Sequence, residues 1–224
     1  MLAGQAVMIN WSDVAVEHRH AYYEWHSREH MVGRVAIPGF KRGRRYLAAA
    51  ASRDFLVCYE VENIDVLTSQ AYLDKANAPS ALTQRTTPVV RNSTRGLARV
   101  RQTLGIGTGG FALTLRFDPL VGRESDLERF LMSEALPRLV EIAEITGAHF
   151  CVADRQASTI VPVERQGRPT TVPNWIVMIE GVSLAALNSA CDAYLSAAVL
   201  HRQGCGVSIE RDTYSLQIVV TGGK

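Results

Sequence analysis

Apolar and polar residues alternate from Ala6 to Trp11, the period of a strand with one buried face. The period then changes to that of a helix over residues 13–36. Tyr22, Trp25, Glu29, Val32 and Ala36 fall on one stripe, His26 and Gly33 lie at its edge, and Tyr23 and His30 sit just beyond. Ser12 or Asp13 is placed to cap this helix, and Pro38-Gly39 ends it. Two strands follow, over 40–48 and 55–61, around a turn at Arg53-Asp54. Asp65 is placed to cap a second helix that reaches residue 77. Residues 78–95, with Pro79 and Pro88, read as looser, and 96–104 reads as a fourth strand. The order β-α-β-β-α-β is the split βαβ unit of ferredoxin-like folds.

The pattern then begins again. Strands are expected at 111–117, 148–153, 175–180 and 214–220, and helices at 124–146 and 184–200. A constant shift of 105 residues lays Asp13 on Asp118, Trp25 on Phe130 and Glu29 on Glu134. Further on the shift is 120, with Phe55–Glu60 falling on Trp175–Glu180, so the second half carries about 15 extra residues, placed in the loop 155–173. The expected organisation is α+β: a ferredoxin-like unit at 1–104, a glycine-rich linker at 105–110 and a second unit at 111–224. Two such units can pack sheet against sheet and bury both apolar faces. Glu29 is expected to recur as Glu134 on the same apolar face, whereas His26 falls on Leu131 and His30 on Ala135. The helix therefore works with Leu and Ala where the first half has histidines.

Composition narrows the function classes. At 224 residues the chain can bury a sizeable core, and a net charge of +2 gives no field that argues for nucleic acid or an anionic membrane surface. Cations are nearly all Arg, the lysines being Lys41, Lys75 and Lys224. No apolar run approaches the roughly 20 residues of a membrane span, and the N-terminus lacks a signal-peptide pattern, so a cytoplasmic protein is expected. Cys58, Cys151, Cys191 and Cys205 have no CxxC spacing, which fits reduced thiols.

Trp25-His26-Ser27-Arg28-Glu29-His30, followed by Arg34, Ile37-Pro38-Gly39-Phe40 and Arg44-Arg45-Tyr46, resembles the EthD-like branch of the dimeric α/β-barrel superfamily. The motif match spans residues 7–62, and the second half is similar only in its order of elements. The resemblance implies ferredoxin-like units paired into a barrel, with a pocket between sheet and helices. Relatives implied by it include cofactor-free monooxygenases, lactone isomerases, polyketide cyclases and haem-binding enzymes. Fold transfers from such a resemblance far better than chemistry does.

A carboxylate amid an apolar stripe costs free energy unless it is paired, which directs attention to Glu29 and its histidine neighbours. Its recurrence as Glu134 favours a structural acid bonded to backbone or to an Arg of a neighbouring strand. The functional reading makes Glu29 part of a His–carboxylate pair, with His30 or His26 as general base. Tyr23, Trp25, Trp11 and Tyr59 are expected to wall a planar substrate, and Arg45 or Tyr59 to polarise its oxygen. His26-Ser27-Arg28-Glu29-His30 also matches the H-x-x-E-H signature of inverzincin peptidases, but no third ligand stands at the usual spacing downstream. Gly105-Ile106-Gly107-Thr108-Gly109-Gly110 satisfies G-x-G-x-x-G, yet a strand is expected after it where a dinucleotide loop must open a helix. Within Lys41–Arg45 a strand alternates its side chains, so no single basic surface forms. Arg42, Arg44 and Tyr46 would share a face turned to solvent, the favoured reading, or to an anionic ligand such as a carboxylate or enolate, and Arg45 would point the other way.

The expected function is the binding of a small, largely apolar, cyclic or carbonyl-bearing molecule, with chemistry of isomerase, lyase or cyclase type and no cofactor. The alternatives are a haem- or divalent-metal-dependent oxidative enzyme and a non-catalytic binding or assembly module. The expected partner is a small-molecule ligand, with no nucleic acid and no membrane, and pairing into a homodimer stays open.

Overall fold

The computed structural model of the chain describes residues 1–167 and 170–222. Arg168 and Pro169 of the long second-half loop, and the last two residues of the second unit, lie outside the described residues. Nine strands are present among the described residues: β1 (Ala6–Val14), β2 (Phe40–Ala50), β3 (Phe55–Val61), β4 (Val90–Gly105), β5 (Phe111–Pro119), β6 (Ile145–Ala153), β7 (Thr170–Thr171), β8 (Trp175–Gly181) and β9 (Cys205–Thr221). Eight of them close into an antiparallel barrel in the order β4-β1-β3-β2-β9-β5-β8-β6 and back to β4. The architecture is α+β, as the element order predicts.

The two halves form the barrel that the resemblance implies, and they do so by joining edge to edge instead of stacking as two separate sheets. β2 pairs with β9 from Arg42↔Thr221 to Ala50↔Thr213, and β4 pairs with β6 from Ala98↔Ala153 to Gly105↔Gly147. Each junction satisfies a row of backbone groups that an open sheet would leave unpaired. The long strands β4 and β9, of 16 and 17 residues, supply the reach. The glycine-rich segment leads directly into β5, so a strand follows it and no helix opens there. Gly105 sits at φ 110°, and a Cβ there would lie 2.3 Å from the Thr146 carbonyl oxygen.

The helix after β1 runs without a break through Arg19–Trp25, His26–His30 and Met31–Val35, and its middle segment is π-helical, with the Met31 N–H donating to the His26 carbonyl. The helix after β5 repeats this over Glu124–Phe130, Leu131–Ala135 and Leu136–Val140, with the Leu136 N–H donating to the Leu131 carbonyl. The expected caps move. Asp13 belongs to β1, where its carboxylate accepts from the Asp54 N–H and from Asn92 Nδ2 at 3.0 and 2.8 Å. Asn63 caps a short 3-10 turn by accepting from the Asp65 N–H, and Ser69 caps the helix Gln70–Asn77. The stretch read as loose holds a Ser80-capped helix, Ala81–Thr86, and the start of β4. The helix expected at 184–200 is two, Leu184–Tyr194 and Ala197–Arg202. Among the described residues no helix is long and apolar enough to cross a membrane.

With helices packed outside and side chains filling the lumen, both faces of the barrel are buried, and every residue of β3 and β8 is buried. Arg42, Arg44 and Tyr46 do share a face, but it is the lumen face rather than a solvated one. Arg44 is fully buried, with Nε 2.7 Å from Glu60 and Nη1 on Glu180. His149 reaches Glu180 from the second half at 2.9 Å, and the Tyr46 hydroxyl donates to Glu180 at 3.1 Å. Burial alone would raise the Glu180 carboxyl, but the His149 hydrogen bond and the Arg44 charge hold it at about 2.

Candidate functional site in the first half

On the outer face of the first-half sheet, between it and the helix at 19–35, a narrow cavity opens to solvent. The Met8, Asn10 and Ser12 side chains of β1, and Val57 and Tyr59 of β3, form its floor. Tyr22, Trp25, His26, His30 and Arg34 of the helix form one wall, Arg95 of β4 another, and Glu164 and Arg165 reach in from the second half's long loop.

The π turn sets the histidine geometry. His26 and His30 stack with ring centroids 5.5 Å apart and planes at 26°, and each ring also contacts Trp25. His26 is 4% exposed and stacked on Tyr22 at 5.0 Å. Its Nδ1 lies 3.2 Å from Arg45 Nη1. A guanidinium only donates, so Nδ1 must accept and the ring proton resides on Nε2. Burial first, and then the Arg45 charge, lower the His26 pKa well below its usual value. His26 is thus a neutral hydrogen-bond donor toward the cavity, and its accepting nitrogen is already taken. His30 is half-buried and lines both this cavity and a second one beside it.

Tyr59 lines the cavity with a buried hydroxyl that has no hydrogen-bond partner among the described residues, and burial raises its pKa so that it stays a neutral phenol. Glu29 does not point into this cavity. It lines the neighbouring one, where Oε1 accepts from the Ser80 and Thr83 hydroxyls at 2.5 and 3.0 Å. Thr83 Oγ1 in turn accepts from Trp25 Nε1 at 2.9 Å. Glu29 is therefore a positioning acid for the aromatic wall. It has a structural partner, as the structural reading expected, but the partners are hydroxyls instead of backbone or Arg. Glu134 is exposed, so the two glutamates do not share an environment.

Trp11 is the clearest correction. It faces the barrel lumen, where its Nε1 donates to Thr114 Oγ1 at 3.3 Å and the Arg116 guanidinium lies 4.4 Å from its ring. Met8 and Asn10, on the opposite face of β1, hold the position expected of it. Tyr23 stands outside the cavity, under the Arg45 guanidinium at 4.7 Å, with its hydroxyl accepting from Gln217. Arg45 works behind the wall, held by Ser27 at 2.9 Å and Gln217 at 3.0 Å as well as His26. Reading the residues alone overlooked Arg95, Asn10, Met8, Glu164 and Arg165, and left Arg34 as part of a motif without a role. The alternation that put Trp11 on one face of β1 put Met8 and Asn10 on the other, and that was their signal.

Among the described residues, no group of three or more His, Cys, Asp or Glu side chains is gathered to hold a metal ion. His26 in particular offers a metal no free nitrogen lone pair, because Nδ1 accepts from Arg45 and Nε2 carries the proton. The H-x-x-E-H segment thus does not assemble a peptidase zinc site: Glu29 turns to a different cavity from His26.

The sequence matches no family model and no curated protein, so likeness to known proteins lies in the fold. An anthrone oxidase-like protein superposes with a TM-score of 0.67 at 14% identity, over 98% of this chain and 93% of the other. A candidate monooxygenase of Fusobacterium nucleatum superposes at 0.63 with 10% identity, over 99% and 97% of the two chains. A mutant chlorite dismutase of Candidatus Nitrospira defluvii gives 0.55 at 10% identity, over 96% and 93%. The chain has the dimeric α/β-barrel fold. At such identities the likeness extends to the architecture and carries no chemistry by itself.

Proposed function

We propose that the chain is an EthD-like protein whose first-half cavity binds a small, largely apolar, cyclic molecule bearing a carbonyl oxygen, and that its chemistry is proton transfer without a cofactor. One observation carries this reading. Five polar residues in or directly behind the cavity wall correspond to apolar core residues in the second half. His26, His30, Arg34 and Arg45 fall on Leu131, Ala135, Leu139 and Phe150 at the shift of 105, and Tyr59 on Ile179 at 120. The fold is complete with hydrocarbon at these positions, so the polar set serves something other than folding.

In this reading Trp25 and Tyr22 wall the ring, and the Tyr59 O–H and His26 Nε2–H donate to the carbonyl oxygen, where negative charge grows as a proton leaves a carbon conjugated with it. His30 takes that proton. Its place on the wall shared by two cavities gives it a route to pass the proton to water. His26 is not the base, since its accepting nitrogen is occupied. Anthrone, the tricyclic ketone in the name of one structural neighbour, is a suitable probe. Binding should quench tryptophan fluorescence, and exchange of its ring methylene protons with D2O, followed by NMR, should exceed the buffer rate. His30→Ala should return exchange to that rate while keeping binding. Binding without accelerated exchange in the native protein would leave a binding module, and absence of binding by anthrone and other cyclic ketones would end the reading.

A further inference from the structure

The cavity's charges specify the ligand further than its shape does. In the barrel lumen a buried Arg is matched by acids: Arg44 by Glu60 and Glu180, and Arg116 by Glu210 and Asp212. Around this cavity the match fails. Arg34 and Arg95 both line it and are 2% and 5% exposed. One acid lines it among the described residues, Glu164, which takes Nη2 of Arg34 and leaves Nε and Nη1 of the same guanidinium buried without partners. Arg95 touches only neutral groups through Nη2, the Tyr72 hydroxyl at 3.0 Å and Met8 Sδ at 3.2 Å, and has no described carboxylate within ion-pair distance.

The second half again provides the contrast. Asn10 faces Arg95 across β1 and β4, and Leu115, its equivalent, faces Arg211 across β5 and β9. Arg211 is exposed and ion-paired with Asp192. The first half keeps the arginine, buries it and omits the acid. A guanidinium cannot shed its charge, and an uncompensated buried charge is costly. Such a charge persists where the counter-ion arrives with the ligand.

We propose that the molecule bound here carries a carboxylate on its ring, received by Arg95 and by the unpartnered nitrogens of Arg34. The proposal rests on the reading of this cavity as a small-molecule site and adds the ligand's charge. The test compares 2-naphthoate with 2-naphthamide, a near-isosteric pair differing in charge, by calorimetry, with the His26 and His30 ring signals in NMR reporting the location. The acid should bind about ten-fold or more tighter than the amide and shift both ring signals. Arg95→Gln should bring the two ligands to near parity by weakening the acid alone. If that variant does not fold, Glu164→Gln serves instead: removing the one competing acid should tighten naphthoate several-fold and leave naphthamide unchanged. Equal affinities, a preference for the amide, or an acid affinity that Glu164→Gln leaves unchanged or weakens would overturn the carboxylate and leave the cavity reading standing. Failure of both ligands to bind or to move the histidine signals would overturn both.

Discussion

The helix at 19–35 and its counterpart at 124–140 share a path down to the π turn, yet they cover opposite kinds of interior. Beneath the second lie Leu131, Ala135, Leu139, Phe150 and Ile179, packed in one hydrocarbon cluster with Trp175 and Leu187. Beneath the first lie His26, His30, Arg34 and Tyr59 around a cavity, with Arg45 behind them. A π turn often marks a functional site, but here both halves have it and only one has the polar groups. The turn belongs to the fold, and the side chains placed on it decide whether it encloses a core or a site.

The strongest way to break the comparison is in the lumen, where position 44 of the first half and position 149 of the second both reach Glu180. Arg44→Met should cost about 3–5 kcal/mol in urea denaturation, because Glu60 and Glu180 then remain as buried charges without their shared cation. Exchanging the halves' residues should be asymmetric. Leu131→His inserts an unpartnered ring into close-packed hydrocarbon and should cost about 2–4 kcal/mol. His26→Leu should cost less than that, since Arg45 keeps Ser27 and Gln217.

A smaller effect depends on pH. Burial lowers the pKa of both His26 and His149, in the latter case against the pull of Glu180. Below the unfolded value of about 6.5 the unfolded chain binds these protons and the folded one does not, so stability falls with decreasing pH, by up to about 1.4 kcal/mol per unit for each histidine. The loss begins as pH drops through about 6.5 and ends at each folded pKa. Denaturation at pH 7 and pH 5.5 should show it, and His26→Leu should remove its share of the slope. Smallest of all should be Tyr59→Phe. Deleting a buried hydroxyl with no partner leaves the melting temperature unchanged or slightly raised, while ligand affinity drops. A large loss of stability there would mean that the hydroxyl is bonded after all.

Periodicity in the chain revealed the element order and the sharing of faces, and it placed Arg45 opposite Arg42, Arg44 and Tyr46. What it could not reveal was which face looked where. In a barrel jacketed by helices both faces are buried, so a period of two has no polar side to orient it. Trp11 and Arg44 were misdirected for this one reason. Glu29 was legible as an acid needing partners, but Ser80 and Thr83 lie more than fifty residues on, in a stretch whose prolines suggested looseness. Arg95 and Glu164 were harder still, since each gains meaning only once a distant strand or the other half's loop is brought beside the helix.

That loop has a further consequence. A barrel assembled from two identical chains must alter both of its pockets with every mutation, and any segment it lengthens appears twice. In a single chain each position varies alone. One half can lend a loop, here the segment bearing Glu164 and Arg165, to roof its neighbour's chamber, while its own equivalent space is filled with leucine and phenylalanine. Continuity of the backbone across the barrel thus frees the protein from symmetry and lets one half specialise as scaffold.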